Sequence, residues 1–451
     1  MLSSLKNRIR FVATAVVAGG VLAFTPLSAK AQTTEELQQR VTELESQLQD
    51  AQTKLQQAEA RSEEQATELE DVQAKVAEAD SLLPRKIKIG NLTVGGAIRA
   101  NYVIGDYDNP NPSRPSRGGD GGNFELDTFR INLDYSYENW LGKAEYRFYN
   151  GYNFLHTGWV GYQFDEESHI QLGVNRVPFG PGPYGVSQSW FFDQHYYVGL
   201  SDDMDLGLKY IKKMDNLTFD LAYYISDEGQ WRGDSQDSAR YSYDVVDETD
   251  LGYEERNQVN ARAIYKIDNE TVPTELGLSL QYGQLDSNGS QDDGDHYAAS
   301  VHMVNQWKSW KLASQLTYYK YEIDDYTVQS GAFTDDLVDM GAYDYAYPVA
   351  AEAYIPAVSL SYYYEAAKIA WLDSVTPYLE YSSIVKADGD HNDSELLTLG
   401  AAWARNGWYI YTDLAYSNGN YFVGGDEFTN FGANPDDEWQ TRFNINFGYY
   451  F

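Results

Sequence analysis

From about residue 90 to the end of the chain, hydrophobic and polar residues alternate with a period of two. The stretch "TFRINLDYSY" (128–137) shows this pattern, and "FNINFGYYF" (443–451) repeats it and ends on Phe451. Such alternation predicts β-strands with one apolar and one polar face. About sixteen segments carry it, each near the roughly 10 residues of a tilted membrane strand. The predicted fold is therefore an all-β transmembrane barrel of about sixteen antiparallel strands.

The connections between these segments alternate between short and long. Short turns include "ENW" (138–140) and "ARNG" (404–407), whereas long acidic loops cover roughly 178–204, 226–254 and 322–350. One connection near 149–155 is short on the long-loop side. Outer-membrane barrels sort their connections in this way, with short periplasmic turns and longer extracellular loops. Tyrosines and tryptophans near the strand ends fit the aromatic girdles of such barrels.

The amino-terminal part of the chain has a different pattern. Positive residues in "MLSSLKNRIR" precede the apolar stretch "FVATAVVAGGVLAF" and a small-residue site at Ala29-Lys30-Ala31. This arrangement predicts a secretory signal peptide over 1–31, cleaved before Gln32. The apolar run is shorter than the roughly 20 residues of a spanning helix, which argues against a membrane anchor.

Residues 32–83 are rich in Glu, Gln, Ala and Leu, and their apolar positions step by four and three from Leu37 to Leu83. A repeat of 3.5 residues sustained over this length predicts an α-helical coiled coil, which precedes the barrel of residues 84–451. Threefold symmetry would bring three amino-termini together in the periplasm, so we expect a homotrimer.

Composition excludes several classes of protein. The chain carries 33 basic and 68 acidic residues and no cysteine. Nucleic-acid binding is not expected, because no basic surface is available. Thiolate metal sites and disulfides are excluded. Six scattered histidines and the lack of a nucleophile elbow indicate neither an enzyme nor a cofactor. The stretch "DGDHNDSE" (388–395) lacks the glycine and the final glutamate of a calcium loop, so no metal site is predicted.

Two adjoining stretches resemble a known family. These are "LGKAEYRFYNGYNFLHTGWVGYQF" (141–164) and "LGVNRVPFGPGPYG" (172–185) with its Pro-Phe-Gly triplet, and they resemble the phosphate-selective porins. The resemblance implies a trimeric sixteen-stranded barrel, in some members preceded by a periplasmic segment. Phosphate selectivity in that family depends on a basic ladder in the lumen. Residues 84–451 depart from it, with 25 basic against 55 acidic residues.

The phase of the strands predicts which charged side chains line a pore. A basic wall facing an acidic third loop would create a crossed field that orients dipolar solutes. The alternative is that these charges are solvated and paired with their neighbours. The constriction candidates are Arg99, Arg130, Lys143, Glu145, Arg147 and Arg176 on the strands, and Asp193, Asp202 and Asp203 on the loop.

These patterns predict a bacterial outer-membrane porin, with its coiled coil in the periplasm, for passive diffusion of small hydrophilic solutes. The acidic loops predict a modest preference for cations. Expected partners are outer-membrane lipid and lipopolysaccharide, and the barrel assembly machinery through the strand that ends in Phe451. A substrate-specific channel for sugars or phosphate is one alternative, with Tyr149, Tyr409 and Tyr411 facing inward. A structural tether through the coiled coil is the other.

Overall fold

The computed structural model describes residues 86–106, 122–366, 368–424 and 429–451. The predicted signal peptide (1–31) and coiled coil (32–83) lie outside the described residues, so both stay predictions. In the described part, no helix is long and apolar enough to cross a membrane.

The described chain folds into β-strands and one 3-10 turn, Tyr196–Val198. The strands are β1 (Ile87–Ile89), β2 (Leu92–Gly105), β3 (Asn123–Tyr137), β4 (Trp140–Phe148), β5 (Asn153–Gln163), β6 (Ser168–Arg176), β7 (Met204–Met214), β8 (Leu217–Asp227), β9 (Asp244–Val245), β10 (Tyr253–Ile267), β11 (Thr274–Ser287), β12 (Gly294–Trp307), β13 (Trp310–Glu322), β14 (Tyr326–Thr327), β15 (Phe333–Thr334), β16 (Leu337–Ala342), β17 (Tyr345–Ala350), β18 (Glu352–Tyr362), β19 (Tyr364–Glu365), β20 (Ser374–Lys386), β21 (Ser394–Arg405), β22 (Trp408–Asn418) and β23 (Trp439–Tyr450).

Sixteen of these strands, counted over the described residues, form one closed antiparallel barrel. Each long strand pairs with the next long strand along the chain, and β23 returns to pair with β2 from Ala97↔Tyr450 to Gly105↔Arg442. Beyond this ladder, Phe451 N–H donates to the Gly96 carbonyl at 3.0 Å, and Gly96 N–H donates to the Phe451 carbonyl at 2.9 Å. The predicted sixteen-stranded barrel is confirmed, and closure removes the free sheet edges that strands would otherwise present.

The two faces of the strands differ as the alternation predicts. Leu276, Leu278 and Leu280 on β11 are between 42% and 48% exposed on the outer face, whereas Asn444 and Asn446 on β23 are fully buried on the inner face. Aromatic side chains form pairs on the outside near the short turns, at Trp140–Tyr162, Trp310–Tyr362 and Trp408–Tyr449. The barrel thus has an apolar outside and a polar inside.

The connections at the two ends of the barrel differ in length, as expected. Several turns at one end are only two residues long, and each has a residue with positive φ, such as Lys308 (52°) and Asn406 (50°). The connection 363–373 between β18 and β20 is longer and contains the short strand β19. The sequence pattern did not identify this turn, because its residues "YYEAAKIAWLD" mix apolar and charged positions without alternation.

A second small sheet stands in the loops at the other end. Strand β16 pairs with β17 and with β9, and we call these three strands the mouth sheet. Tyr343 and Asp344 join β16 to β17 with φ angles of 53° and 71°. Positive φ at both central residues is what a two-residue type I′ hairpin turn requires. The sequence predicted only long acidic loops over 226–254 and 322–350, where these three strands lie.

An aromatic core packs the mouth sheet against the loops around it. Its members come from four connections between strands and from the adjoining strand ends, so the loops pack on one another rather than extending into solvent. Stacked pairs include Phe192–Tyr196 at 4.2 Å and Tyr197–Phe431 at 5.0 Å between ring centroids. Most of these rings are tyrosines, whose hydroxyl groups can form hydrogen bonds where the packing meets polar atoms.

Gly96 provides a test of the closure between β2 and β23. A Cβ atom there would lie 2.5 Å from the Arg130 carbonyl oxygen and 2.7 Å from the Phe451 ring. We expect Gly96→Ala to lower the free energy of unfolding by about 1–3 kcal/mol through overpacking. The matched control is Gly142→Ala, where the nearest atom lies at 3.5 Å. The temperature at which half of the protein has changed from folded to unfolded mobility in SDS gels measures the stability of both variants. Equal midpoint temperatures for Gly96→Ala and Gly142→Ala would contradict the close packing at Gly96.

Candidate functional site

The connection between β6 and β7, residues 177–203, folds into the barrel, and we call it the constriction loop. Near its start, Gly180 N–H donates to Ser279 Oγ on β11 at 3.1 Å, and Arg262 on β10 donates to the Gly180 carbonyl at 3.2 Å. The proline- and glycine-rich sequence "PFGPGPYG" cannot continue a strand, because prolines lack the N–H groups that a ladder needs. The chain therefore leaves the wall and crosses the lumen.

Glu380 on β20 is the main anchor of the loop's central part. Its Oε1 accepts from Gln188 N–H at 2.5 Å and from Ser359 Oγ at 2.7 Å, and its Oε2 accepts from Ser187 Oγ at 2.5 Å. Hydrogen bonds to a charged acceptor each contribute about 1.5–3 kcal/mol. Two of these bonds, from Ser187 and Gln188, fix the loop to the wall, and the third, from Ser359 on β18, holds the carboxylate in place.

Further contacts fix the rest of the loop to the same side of the barrel. Trp190 N–H donates to Asp413 on β22 at 3.1 Å, and Gln194 N–H donates to Ser382 on β20 at 3.1 Å. His195 Nε2 lies 2.8 Å from Thr317 Oγ1 on β13. The loop is thus held along the inner wall from β10 to β22, which leaves the wall from β2 to β6 facing it.

Asp193 has a structural position inside the constriction loop. Its Oδ2 accepts from Val186 N–H at 2.8 Å, and its Oδ1 accepts from His195 N–H at 3.0 Å and lies 2.9 Å from His195 Nδ1. Gly185 (φ 59°) packs against this carboxylate at a distance that no side chain would permit. Asp193 therefore shapes the loop and does not face the lumen.

Three arginines lie together on the opposite wall, on β2, β3 and β4. Arg99 pairs with Asp127 at 2.9 Å, whereas Arg130 and Arg147 share Glu145 at 3.3 and 2.6 Å. Arg147 is almost buried, but Arg99 and Arg130 keep 19% and 18% of their side-chain surface exposed. The structure thus brings together Arg99, Arg130, Glu145 and Arg147 from the sequence prediction.

The fourth arginine is linked to the constriction loop itself. Arg176 at the end of β6 forms an ion pair with Asp202 at 2.7 Å, and Tyr241 also donates a hydrogen bond to Asp202. Burial alone would raise the pKa of Asp202, but the charge of Arg176 outweighs it and holds that pKa well below its ordinary value. Asp202 is therefore an ionised partner of Arg176 rather than part of a separate acidic wall.

The remaining two predicted residues lie apart from this group. Lys143 is exposed and lies on the same face of β4 as Glu145, toward the short-turn end. Asp203 is buried with Asp205 and Asp244. Burial raises the pKa of Asp203, and the carboxylates of Glu255 and Glu228 raise it further.

Tyrosines complete the constriction, and the sequence predicted two of them, Tyr409 and Tyr411, to face inward. Tyr409 and Tyr411 on β22 have ring centroids 4.9 Å apart, and Tyr450 lies under the Arg130 guanidinium at 5.1 Å. Tyr184, at the turn of the constriction loop, is half exposed and lies within electrostatic range of Arg176 and Arg130. The inward phase of β23 could have found Tyr450 from the sequence.

The sequence pattern did not predict that Asp127 faces inward, because a β-bulge interrupts the alternation of the strand next to it. The pairing of β2 with β3 shifts between Arg99 and Ala100, so that Arg99 faces Thr128 and Ala100 faces Leu126. The extra residue lets Asp127 point to the same side as Arg130, although their spacing of three would place them on opposite faces of a regular strand. Strict alternation cannot reveal this position.

Taken together, four arginines are balanced by three carboxylates, those of Asp127, Glu145 and Asp202. We call these four arginines the arginine strip. The strip keeps a small excess of positive charge, and it presents guanidinium groups to the lumen beside the tyrosine rings. The loop carboxylates do not oppose it across open space. The arrangement can offer hydrogen-bond donors and a local positive potential to a passing solute.

The architecture defines a class of protein: a closed sixteen-stranded antiparallel barrel with a loop folded into its lumen. Solved structures of this architecture are similar to it. The outer membrane channel DcaP of Acinetobacter baumannii superposes with a TM-score of 0.51 and 11% identity over 82% of this chain and 100% of that chain. Salmonella typhi OmpF, solved with daunomycin, superposes with a TM-score of 0.51 and 12% identity over 81% and 100%.

Comparisons by sequence give no match. No protein-family model matches the chain, and no curated protein matches it. The resemblance to the phosphate-selective porins therefore stays a prediction. At 11–12% identity the structural likeness shows the fold alone.

Removal of the Glu380 carboxylate tests the anchoring of the constriction loop. We expect Glu380→Ala to leave the barrel folded but to release the central part of the loop, because Ser187 Oγ and Gln188 N–H lose their acceptor. Single-channel recording in a planar bilayer should show added current noise and brief closures. Asp165→Asn, an exposed carboxylate in a short turn beside Lys212, is the control. Traces from Glu380→Ala as quiet as those of the wild type would contradict the anchoring role.

Proposed function

We propose that the protein is a bacterial outer-membrane porin through which small hydrophilic solutes diffuse passively. The observation that carries this proposal is the constriction loop, which lies inside a closed barrel and faces solvent-exposed arginines and tyrosines. Charged and polar side chains that face solvent on the inner wall are expected of a water-filled channel and not of a barrel whose interior is packed with apolar side chains. A constriction lined by charged and polar groups is how a pore selects without chemistry.

The outer surface supports a position in a membrane. Leucines at alternate positions of β11 form an exposed apolar face, and aromatic pairs such as Trp310–Tyr362 and Trp408–Tyr449 lie at the short-turn end. Tyrosine pairs such as Tyr318–Tyr354 and Tyr297–Tyr318 lie toward the long-loop end. Two aromatic girdles that flank an apolar band are typical of outer-membrane barrels. The short turns then lie in the periplasm and the long loops outside the cell.

The charge distribution supports a modest preference for cations. Acidic side chains surround a cavity of about 580 Å³ among the long loops: Asp293, Glu322, Asp324, Asp335, Asp336, Glu352 and Asp388, against two lysines. An acidic vestibule concentrates cations and repels anions. The arginine strip opposes this effect at the constriction, where its small excess of positive charge acts at close range. The acidic side chains around the cavity outnumber the excess positive charges of the arginine strip, so we expect a net preference for cations at low salt.

A substrate-specific channel for an anionic solute is the second candidate. The observation that favours it is the convergence of Arg99, Arg130, Arg147 and Arg176 from four strands of one wall. Arginine guanidinium groups bind carboxylates and phosphates by paired hydrogen bonds. A specific channel would saturate with its solute and would be blocked by it, whereas a general pore sorts solutes by size. Liposome swelling with neutral sugars, dicarboxylates and phosphate separates the two candidates.

The trimer and the periplasmic coiled coil are part of the same proposal. Heptads over 32–83 would join three chains in the periplasm, and a tether to another layer of the envelope is the alternative role for that segment. Lipopolysaccharide around the barrel and the assembly machinery that receives the strand ending in Phe451 are the further partners we propose.

Arg130 tests the effect of the arginine strip on selectivity. It is the best choice because Arg147 remains to pair with Glu145 when Arg130 is removed. We expect Arg130→Gln to raise the permeability ratio of potassium to chloride roughly twofold to fivefold, since a unit charge about 4 Å from an ion in water contributes about 1 kcal/mol. Reversal potentials in a dilute potassium chloride gradient measure this ratio.

The control for this measurement is Arg405→Gln. Arg405 is 40% exposed and pairs with Asp373 at the short-turn end, on the outward phase of β21. It should leave the reversal potential unchanged. An anion-selective wild type would contradict the proposed cation preference, and a folded protein that never conducts would contradict the porin itself.

Deletion of residues 32–80 tests the role of the predicted coiled coil. We expect the shortened protein to conduct normally in each barrel but to give trimers that dissociate more readily in detergent, because the heptads contribute to association. Chemical crosslinking followed by gel electrophoresis measures the trimer fraction. A protein that is monomeric before the deletion would contradict the trimer, and unchanged trimers with loss of envelope integrity would favour the tether.

A further inference from the structure

Three buried carboxylates meet where the constriction loop rejoins the barrel wall. Asp203 ends the loop, Asp205 is the second residue of β7, and Asp244 belongs to the mouth sheet. One carboxylate oxygen from each lies within 4.8 Å of the others. Each residue is at most 6% exposed. The three groups come from two segments of the chain, Asp203 and Asp205 from one and Asp244 from the other, so the complete cluster exists only in the folded protein.

The local charge of this cluster is not balanced by basic side chains. Arg240 is the nearest cation, and it pairs with Asp227 at 2.6 Å and with Asp244 at 3.3 Å. Among the described residues, no ion pair joins a basic side chain to Asp203 or Asp205. Buried carboxylates that stay ionised are costly unless a counter-charge or a metal ion offsets them. Glu228 and Glu255, both buried, add two more carboxylates beside the cluster.

Several buried oxygen atoms at the cluster have no hydrogen-bond partner. They include Oδ1 of Asp203, Oδ1 of Asp205 and Oε2 of Glu228. Gln258 on β10 gives an independent indication. It is 2% exposed, and its Nε2 donates to Asp205 Oδ2 at 2.9 Å, which directs the amide toward the cluster, whereas its carbonyl oxygen has no partner. Native proteins rarely leave buried oxygens unpaired without an ion or a water molecule.

We propose that these residues bind one calcium ion, with Asp203, Asp205 and Asp244 as ligands and with the Gln258 carbonyl and Glu228 beside them. Calcium takes six to eight oxygen ligands at about 2.3–2.6 Å, so oxygens on opposite sides of the ion lie about 4.8 Å apart. The three carboxylate oxygens, all within 4.8 Å of one another, lie close enough together for one such ion to contact them all. Magnesium prefers a smaller octahedral shell that keeps several waters, and a cage built from protein carboxylates suits it less well.

The position of the site gives it a structural consequence. Its ligands join the end of the constriction loop to β7 and to the mouth sheet, and Ser242 Oγ already accepts from Met204 N–H at 2.7 Å in the same region. Asp202, which pairs with Arg176 in the lumen, is the residue next to Asp203. A bound calcium ion therefore holds the loop end that positions this ion pair, and it links divalent cations outside the cell to the geometry of the constriction.

The test uses full-length protein refolded into detergent without lipopolysaccharide, because lipopolysaccharide itself binds divalent cations. After treatment with a chelator, calcium is titrated by calorimetry. We expect one saturable site per chain, a higher thermal midpoint with calcium than with chelator, and weaker binding of magnesium. Asp205→Asn and Asp244→Asn should each weaken calcium binding about tenfold or more, as the loss of a charged ligand does.

The matched control is Asp339→Asn. Asp339 is a buried carboxylate of the mouth sheet outside the cluster, and it accepts from Gln329 N–H at 2.8 and 3.0 Å. This variant should bind calcium like the wild type. Variants that remain folded but lose the calcium-dependent midpoint support the site, even when their own stability changes. No saturable calcium binding by the wild type, equal binding by Asp205→Asn, or magnesium binding as tight as calcium would overturn the proposal.

Discussion

The pairing of β2 with β23 is the constraint on which the rest of the structure depends. A sheet of sixteen strands has two edges unless it closes, and open edges cannot persist in a hydrocarbon layer because their N–H and C=O groups have no partners there. The ladder from Ala97↔Tyr450 to Gly105↔Arg442, extended by the Gly96–Phe451 hydrogen bonds, removes both edges. Closure also creates an inside and an outside. The inward phase of every strand then faces the same lumen, which is how arginines from four separate strands come to form one strip.

A lumen closed by strands still has to be narrowed, and this chain narrows it with polar contacts. The constriction loop is fixed by carboxylates and hydroxyls of the wall, above all by Glu380 and Asp413, because its own N–H groups would otherwise be buried without acceptors. Its far end is different. There the carboxylates outnumber the cations, and the structure lacks hydrogen-bond partners for several oxygens of Asp203, Asp205 and Glu228. Hydrogen bonds to the wall hold the first part of the constriction loop in place, and the proposed calcium ion would hold its far end.

The sequence predicted the barrel well because a single physical rule governs it. Alternation marks each strand, and the contrast between two-residue turns and long acidic loops marks the two ends. The same rule placed Arg99, Arg130, Glu145 and Arg147 on the inner face, where the structure brings them together. It could not place Asp127, because a bulge breaks the alternation between Asp127 and Arg130. It also missed the mouth sheet, although the two positive φ angles at Tyr343 and Asp344 belong to a hairpin turn.

The loop carboxylates show a different limit. Sequence phase says nothing about residues outside strands, so Asp193, Asp202 and Asp203 could not be assigned separately, yet they have three different environments. Asp193 orders the loop, Asp202 neutralises Arg176, and Asp203 joins a buried cluster. A calcium-loop motif has its ligands at fixed spacing within one short segment, whereas the proposed site would take its ligands from β7, β9, β10 and the constriction loop.

The central claim is that solutes pass between the constriction loop and the arginine strip, and Tyr184 tests it most directly. The chain has no cysteine, so Tyr184→Cys introduces one thiol, at a half-exposed position on the turn of the loop. The measurement is single-channel conductance before and after a bulky thiol reagent is added, with the labelled fraction determined by mass spectrometry. The account predicts a clear fall in conductance in the variant and no change in the wild type. Complete labelling with unchanged conductance would contradict it.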